Sequence, residues 1–196
     1  MYDQIARFYD LTHASLTADL PFVLQLASET GSPILELGCG SGRLLLPLAR
    51  AGHNVTGVDL SQVMLDRARA RLTQEVTAVQ QRITLHQADM THFALPEGTQ
   101  FGLVIVPYNT LLHLDTAQSL AMLRRVKGML GENGRLFIDL ANPVDMANTP
   151  EDALLSLENV LSDPETGELI VHLASNRLDT AEQTVNITWI YDVYDD

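Results

Sequence analysis

The stretch ILELGCGSG, residues 34–42, sets a glutamate inside a hydrophobic run that stops at three glycines on alternate positions. A short apolar run of strand length reads as a buried strand, and glycines at its end free the backbone for a tight turn. SGRLLLPLARAG follows with the length of one helix, and Gly52 serves as its C-cap. A strand that runs through a glycine-rich turn into a helix brings ligand atoms against backbone amides. The spacing differs from the G-x-G-x-x-G fingerprint of dinucleotide binding, and a carboxylate at Glu36 disfavours a pyrophosphate. Glu36 suits a ligand bearing an ammonium group, while Gly38 and Gly40 let that ligand approach the chain.

Outward from this turn, strand-length apolar runs alternate with amphipathic segments: NVTGVDL (54–60), ITLHQADM (83–90), FGLVIVPY (101–108) and RLFIDLANP (135–143) follow PILEL (33–37). This is the pattern of an α/β, Rossmann-like, mostly parallel sheet covered by helices on both faces. Ser61 is placed to N-cap a helix with Val63, Met64, Ala68 and Leu72 on its apolar face; Asp66, Arg67, Arg69 and Arg71 read as a solvated face. Asp115 and Gln118 form a capping-box pattern at the start of a helix expected over Thr116–Leu130, which GENG (131–134) ends as a turn. Residues before Pro21 read as one or two short helices.

From Ala153 onward the chain changes character. ALLSLENVL, ELIVHLASNRL and TVNITWIYDVY, joined by SDPETG and DTAEQ, predict a C-terminal three-stranded antiparallel insertion. We divide the chain into residues 1–145 and 146–196 within one compact unit. The final YDVYDD is strand-like with no closing element, so we expect the final strands of the sheet to be missing.

Composition narrows the function. A formal charge of -13, from 12 Lys and Arg against 25 Asp and Glu, opposes binding to nucleic acid, which needs a concentrated basic surface. No run approaches the roughly 20 apolar residues of a membrane span, and a cytoplasmic protein is expected. The single cysteine, Cys39, reads as a small filler between two glycines. His86, His92 and His172 lack metal-ligand spacing, so no metal is expected.

Two more carboxylates end strands. Asp59, 21 residues beyond Gly38, can accept from both hydroxyls of a ribose. Asp89 can accept from an exocyclic amino group such as adenine N6, with Met90 packed on the ring. Glu36, Asp59 and Asp89 thus end three successive strands, whose carboxyl ends converge on one crevice in an open parallel sheet.

Taken together, ELGCGSGRL, VTGVDLSQVML, QADM and GRLFIDLANP resemble the successive motifs of class I S-adenosylmethionine-dependent methyltransferases. The resemblance covers residues 2 to 142, and the opening YDQIARFYD is similar to the small-molecule branch of that family. It implies S-adenosylmethionine as methyl donor and S-adenosylhomocysteine as product. Glu36, Gly38 and Gly40 would face the methionyl part, Asp59 and Leu60 the ribose end, Asp89 and Met90 the adenine, and Tyr9 the cofactor from above. Arg43, which opens the helix after the glycines, is placed either to pair with the methionyl carboxylate or to stand as an exposed cation. The family's aspartate beside Phe101 is absent, since Gly102 stands there.

Methyl transfer from a sulfonium needs alignment and exclusion of water more than a covalent intermediate. VPYNTLLHL (106–114) follows the fourth strand, which makes Tyr108 and His113 the catalytic candidates: Tyr108 to flank the methyl group, His113 to take a proton. Asn109 lies between them in the chain. Tyr2 and Tyr9 share one helix face, and His13 reads as a surface residue. Trp189 alternates with Ile187 and Tyr191 on one strand face. The alternatives are a cofactor-binding module without turnover and an NAD-dependent oxidoreductase. The partners expected are a small-molecule substrate and a second copy of the chain, met through the C-terminal strands or the open sheet edge.

Overall fold

A computed structural model describes residues 2–13, 16–142 and 154–195. The boundary expected at 145/146, Pro143 and Ala153 at the edges of expected strands, and the terminal Asp196 lie outside these residues. The chain divides into two compact units: Met1–Ala6 with Leu16–Leu140, and Arg7–Ser15 with Ala141–Asp196.

The first unit is built on five parallel strands: β1 (Ile34–Leu37), β2 (Val55–Asp59), β3 (Ile83–Gln87), β4 (Phe101–Val106) and β5 (Leu130–Ile138), in spatial order β3-β2-β1-β4-β5. The chain winds outward from β1 to β3 and returns to place β4 on the other side of β1. A crevice opens where the order reverses, beyond the carboxyl ends of β1 and β4. Alternate residues of each strand feed two cores. Ile34, Val55, Leu103 and Ile105 pack with Val23, Ala27, Leu44, Leu45, Leu48 and Leu65 on one face. Leu35, Leu37, Val58, Val104 and Val106 pack with Phe93, Met122 and Val126 on the other. Each fully buried aliphatic side chain contributes about 1.5–3 kcal/mol, and two buried faces explain why these strands read as continuous apolar runs.

The helices are α1 (Tyr2–His13), α2 (Leu20–Thr30), α3 (Leu45–Arg50), α4 (Gln62–Leu72), α5 (Thr77–Gln80) and α6 (Thr116–Met129). Ser61 caps α4, accepting from the Met64 amide, and Asp115 with Gln118 forms the capping box of α6. α2 runs on past Pro21, which sits in its first turn where a missing N–H costs nothing. Pro21 therefore sits in the first turn of a helix that the sequence left unassigned. α3 is shorter than the twelve residues from Ser41 to Gly52, because residues 40–44 stay in turns.

GENG is also not the turn it resembles. β5 begins at Leu130, paired with Phe101, and the register then jumps to Leu103 opposite Arg135. The extra residues form an irregularity inside the strand. A Cβ on Gly134 would lie 2.7 Å from the Phe101 carbonyl oxygen, so glycine is demanded by close packing of backbone.

In the second unit, β6 (Ser156–Ser162), β7 (Leu169–Asp179) and β8 (Thr184–Tyr194) form the antiparallel sheet in that order. Arg7 bonds Asp163 and Glu168 at the turn between β6 and β7. Phe8 stacks on Tyr191, whose ring centroid also lies 4.5 Å from that of His172. The face carrying Ile170, His172 and Ala174 is buried.

Candidate functional site

Glu36 lies in β1 on the face packed by α2 and α3 and is 1% exposed. Its Oε2 has no hydrogen-bond partner. Burial pushes its carboxyl up to about 8; Arg43 opposes that rise, and the charges of Asp59 and Asp19 add to it. A buried carboxyl with an orphaned oxygen is costly unless a donor arrives. A ligand's ammonium group, which carries three N–H donors, matches that need.

Past Glu36 the backbone turns through Gly38 and Gly40, both with positive φ, at 76° and 52°. The amides of Gly38 and Cys39 both donate to the Val58 carbonyl, tying the turn to β2. Thr110 stands directly over Gly38: a Cβ there would meet Thr110 Cγ2 at 2.3 Å. Bare backbone at this point therefore serves close approach of the β4 loop. Cys39 is buried, and burial raises its thiol well above the ordinary range, which suits a filler and not a nucleophile.

Asp59, at the end of β2, accepts the Gly40 amide at 2.7 Å and the Ser61 amide at 2.8 Å. It braces the glycine turn, and burial still raises its pKa. Each carboxylate oxygen accepts more than one bond, so capacity remains for ribose hydroxyls. Leu60 beside it is 69% exposed, an apolar side chain open to a ligand. Asp89, after β3, takes the Thr91 amide and hydroxyl on one oxygen, at 2.7 and 2.6 Å. The Thr91 hydroxyl and amide hold its carboxyl below the ordinary range, so it is an anionic acceptor at neutral pH. Met90 is half-buried against the second core.

The Arg43 guanidinium forms a two-pronged pair with Asp19, at 2.6 and 2.7 Å, and donates to the Leu16 carbonyl. Its charge also lies 6.0 Å from the centre of the Tyr108 ring, within cation–π reach.

Tyr108 and His113 follow β4, with a 3-10 turn over Thr110–His113. Burial raises the Tyr108 phenol and lowers His113. His113 Nε2 is 2.8 Å from the Tyr2 hydroxyl, and their rings meet edge to face. Tyr2 and Asp3, which contacts Ser61 Oγ at 2.5 Å, are thus the α1 residues that join the first unit's site. Tyr9 belongs to the second unit, stacked on His13 with 3.9 Å between ring centroids. Thr110, Asp3 and Asp139 were not singled out in the sequence. Asp139 alone carried a usable signal, being a carboxylate at a strand end like Glu36, Asp59 and Asp89.

Gly102 is explained by packing. A Cβ there would lie 2.5 Å from the Thr30 carbonyl oxygen, and the Gly102 amide donates to the Pro33 carbonyl. The turn before β1 occupies the space that a side chain at this position would need.

Among known proteins, the family described as methyltransferase domain matches residues 34–134. The cypemycin N-terminal methyltransferase of a Streptomyces species is 30% identical over 78% of this chain and 61% of its own length. The CcbJ methyltransferase from Streptomyces caelestis superposes with a TM-score of 0.74 at 22% identity, over 90% of this chain and 69% of its own. The glycopeptide N-methyltransferase MtfA, solved with S-adenosyl-L-homocysteine, gives a TM-score of 0.59 at 25% identity over 89% and 71%. The chain spans about three fifths of the length of the curated relatives it matches.

Proposed function

This chain belongs to the methyltransferase-domain family, and from that premise we propose that it transfers a methyl group from S-adenosylmethionine to a small-molecule acceptor. The observation that carries the proposal is Glu36: a fully buried carboxyl with one orphaned oxygen, beside a turn of bare backbone. Glu36 would take the ammonium group, Gly38 and Gly40 would let the methionyl part lie on the chain, Asp59 and Leu60 would hold the ribose end, and Asp89 and Met90 would read the adenine. Arg43 acts through its pair with Asp19, which keeps a positive charge near Glu36 and Tyr108.

When bound, the cofactor supplies a sulfonium methyl that is already activated for displacement. The residues of this chain then have to hold the acceptor in line and exclude water. Tyr108 would flank the transfer. His113, kept neutral by burial, can take a proton from the acceptor at a ring nitrogen. We further propose a cofactor-binding region over residues 1–145 and an antiparallel addition over 146–196. Residence in the cytoplasm and self-association are part of the same proposal. The charge of -13 supports a partner that is not nucleic acid, and among the described residues no helix is long and apolar enough to cross a membrane.

The decisive experiment is calorimetry of the purified chain with S-adenosylhomocysteine. Saturable binding, weakened tenfold or more by Glu36→Gln, supports the assignment. No heat with S-adenosylhomocysteine, together with retention on immobilised NAD, would replace it with the oxidoreductase alternative.

A further inference from the structure

Among the described residues three non-glycine positions have positive φ, and two of them are consecutive: Tyr108 at 41° and Asn109 at 60°. Both follow Pro107 at the end of β4. Left-handed backbone is costly for a side-chain-bearing residue, and an aromatic one adopts it only where the surroundings hold it.

The holding group is Asp139, one residue beyond β5. Its amide donates to the Val106 carbonyl at 3.0 Å and its carbonyl accepts the Asn109 amide at 2.9 Å. Its carboxylate Oδ2 accepts the Tyr108 amide at 3.3 Å. The turn is pinned on the other side by Thr110, whose amide donates to the Pro107 carbonyl and whose side chain fills the space over Gly38. The loop between β4 and the 3-10 turn is thus gripped from β5 by Asp139 and wedged against the β1 turn by Thr110. With the backbone so held, the Tyr108 ring comes within 6.0 Å of the Arg43 guanidinium.

We propose that Asp139 is a positioning residue: it holds the strained Tyr108–Asn109 turn and so sets Tyr108 on the acceptor side of the crevice. The inference rests on the reading of Tyr108 as a site residue. Asp139 touches no reacting atom; it acts through the Tyr108 amide, and an uncharged carbonyl oxygen in the same place serves equally well.

Amide exchange, followed by mass spectrometry or NMR on the full chain, tests this together with S-adenosylhomocysteine calorimetry. In Asp139→Ala, exchange at Tyr108 and Asn109 is expected to speed at least tenfold while the S-adenosylhomocysteine Kd stays within about threefold. Asp139→Asn, which keeps the accepting oxygen, restores slow exchange. On an acceptor found by screening, Asp139→Ala lowers kcat more than it raises KM, and the Asn variant recovers kcat. Equal exchange in wild type and Asp139→Ala overturns the proposal, as does an Asn variant no better than Ala. Asn109→Gly keeps the test open if Asp139→Ala fails to fold: it is expected to raise the melting temperature by relieving the left-handed turn, and a lower one would remove the strain argument. Loss of S-adenosylhomocysteine binding by the wild-type chain is a separate failure, that of the cofactor reading.

Discussion

At the scale of single residues, Glu36 dominates. Its ordinary value is 4.5 and the fold raises it to about 8, because desolvation favours the neutral acid. Below pH 4.5 the carboxyl is protonated in both states and the contribution to stability is fully present. As pH rises towards 8 the unfolded chain ionises and the folded one resists, so stability falls through this window. The loss is on the order of 5 kcal/mol at most. Thermal melts of Glu36→Gln without ligand should therefore match wild type near pH 4 and exceed it near pH 8.5. Ligand binding turns the same group around. An arriving ammonium favours the carboxylate, so binding at pH 7 should release a proton, seen as an enthalpy that changes with the buffer's ionisation heat. Affinity for S-adenosylhomocysteine should rise from pH 6 to 8 in wild type and stay flat in Glu36→Gln.

Elements meet at backbone contacts that only glycine allows. Gly102→Ala would drive a Cβ against the Thr30 carbonyl, separating the turn before β1 from β4 at a cost of roughly 1–3 kcal/mol. Denaturant midpoints measure it, and an unchanged midpoint would mean that the turn yields freely. Gly38 offers a sharper test because its obstacle is a side chain. Gly38→Ala should weaken S-adenosylhomocysteine binding, with part of the loss recovered by Thr110→Gly, which removes the Cγ2 in the way. The positive φ of 76° sets the remainder that no second change recovers. A double variant no better than Gly38→Ala alone would show that the contact with Thr110 is not what reserves this position for glycine.

For the molecule as a whole, the antiparallel sheet carries exposed apolar side chains on β6, including Leu157 at 62% and Val160 at 54%. Among the described residues β6 is also an outer strand of its sheet, paired on one side only. We expect self-association through this strand. Light scattering from micromolar to submillimolar concentration should show a rising mass, and Leu157→Lys with Val160→Lys should hold the chain monomeric. A wild-type mass constant at one copy across that range would exclude it. Added salt should strengthen association, because the net charge of -13 repels a second copy.

The sequence by itself determined the order of the strands, the parallel sheet and the carboxylates at strand ends, because these follow from local periodicity, glycine placement and capping chemistry. Asp115 with Gln118 and Ser61 were legible as caps for the same reason: their partners lie three residues away. Tertiary structure alone decided what those groups touch. That Arg43 meets Asp19, that Thr110 reserves the space over Gly38, that Gly102 must yield to Thr30 and that Tyr2 reaches His113 are contacts between residues 24 to 111 positions apart. Such contacts leave no periodic trace, since each depends on one pair of side chains or carbonyls brought together by the winding of the sheet. GENG shows the limit most plainly: its composition demands a break in regular structure, and only pairing of Leu130 with Phe101 decides that the break lies inside a strand.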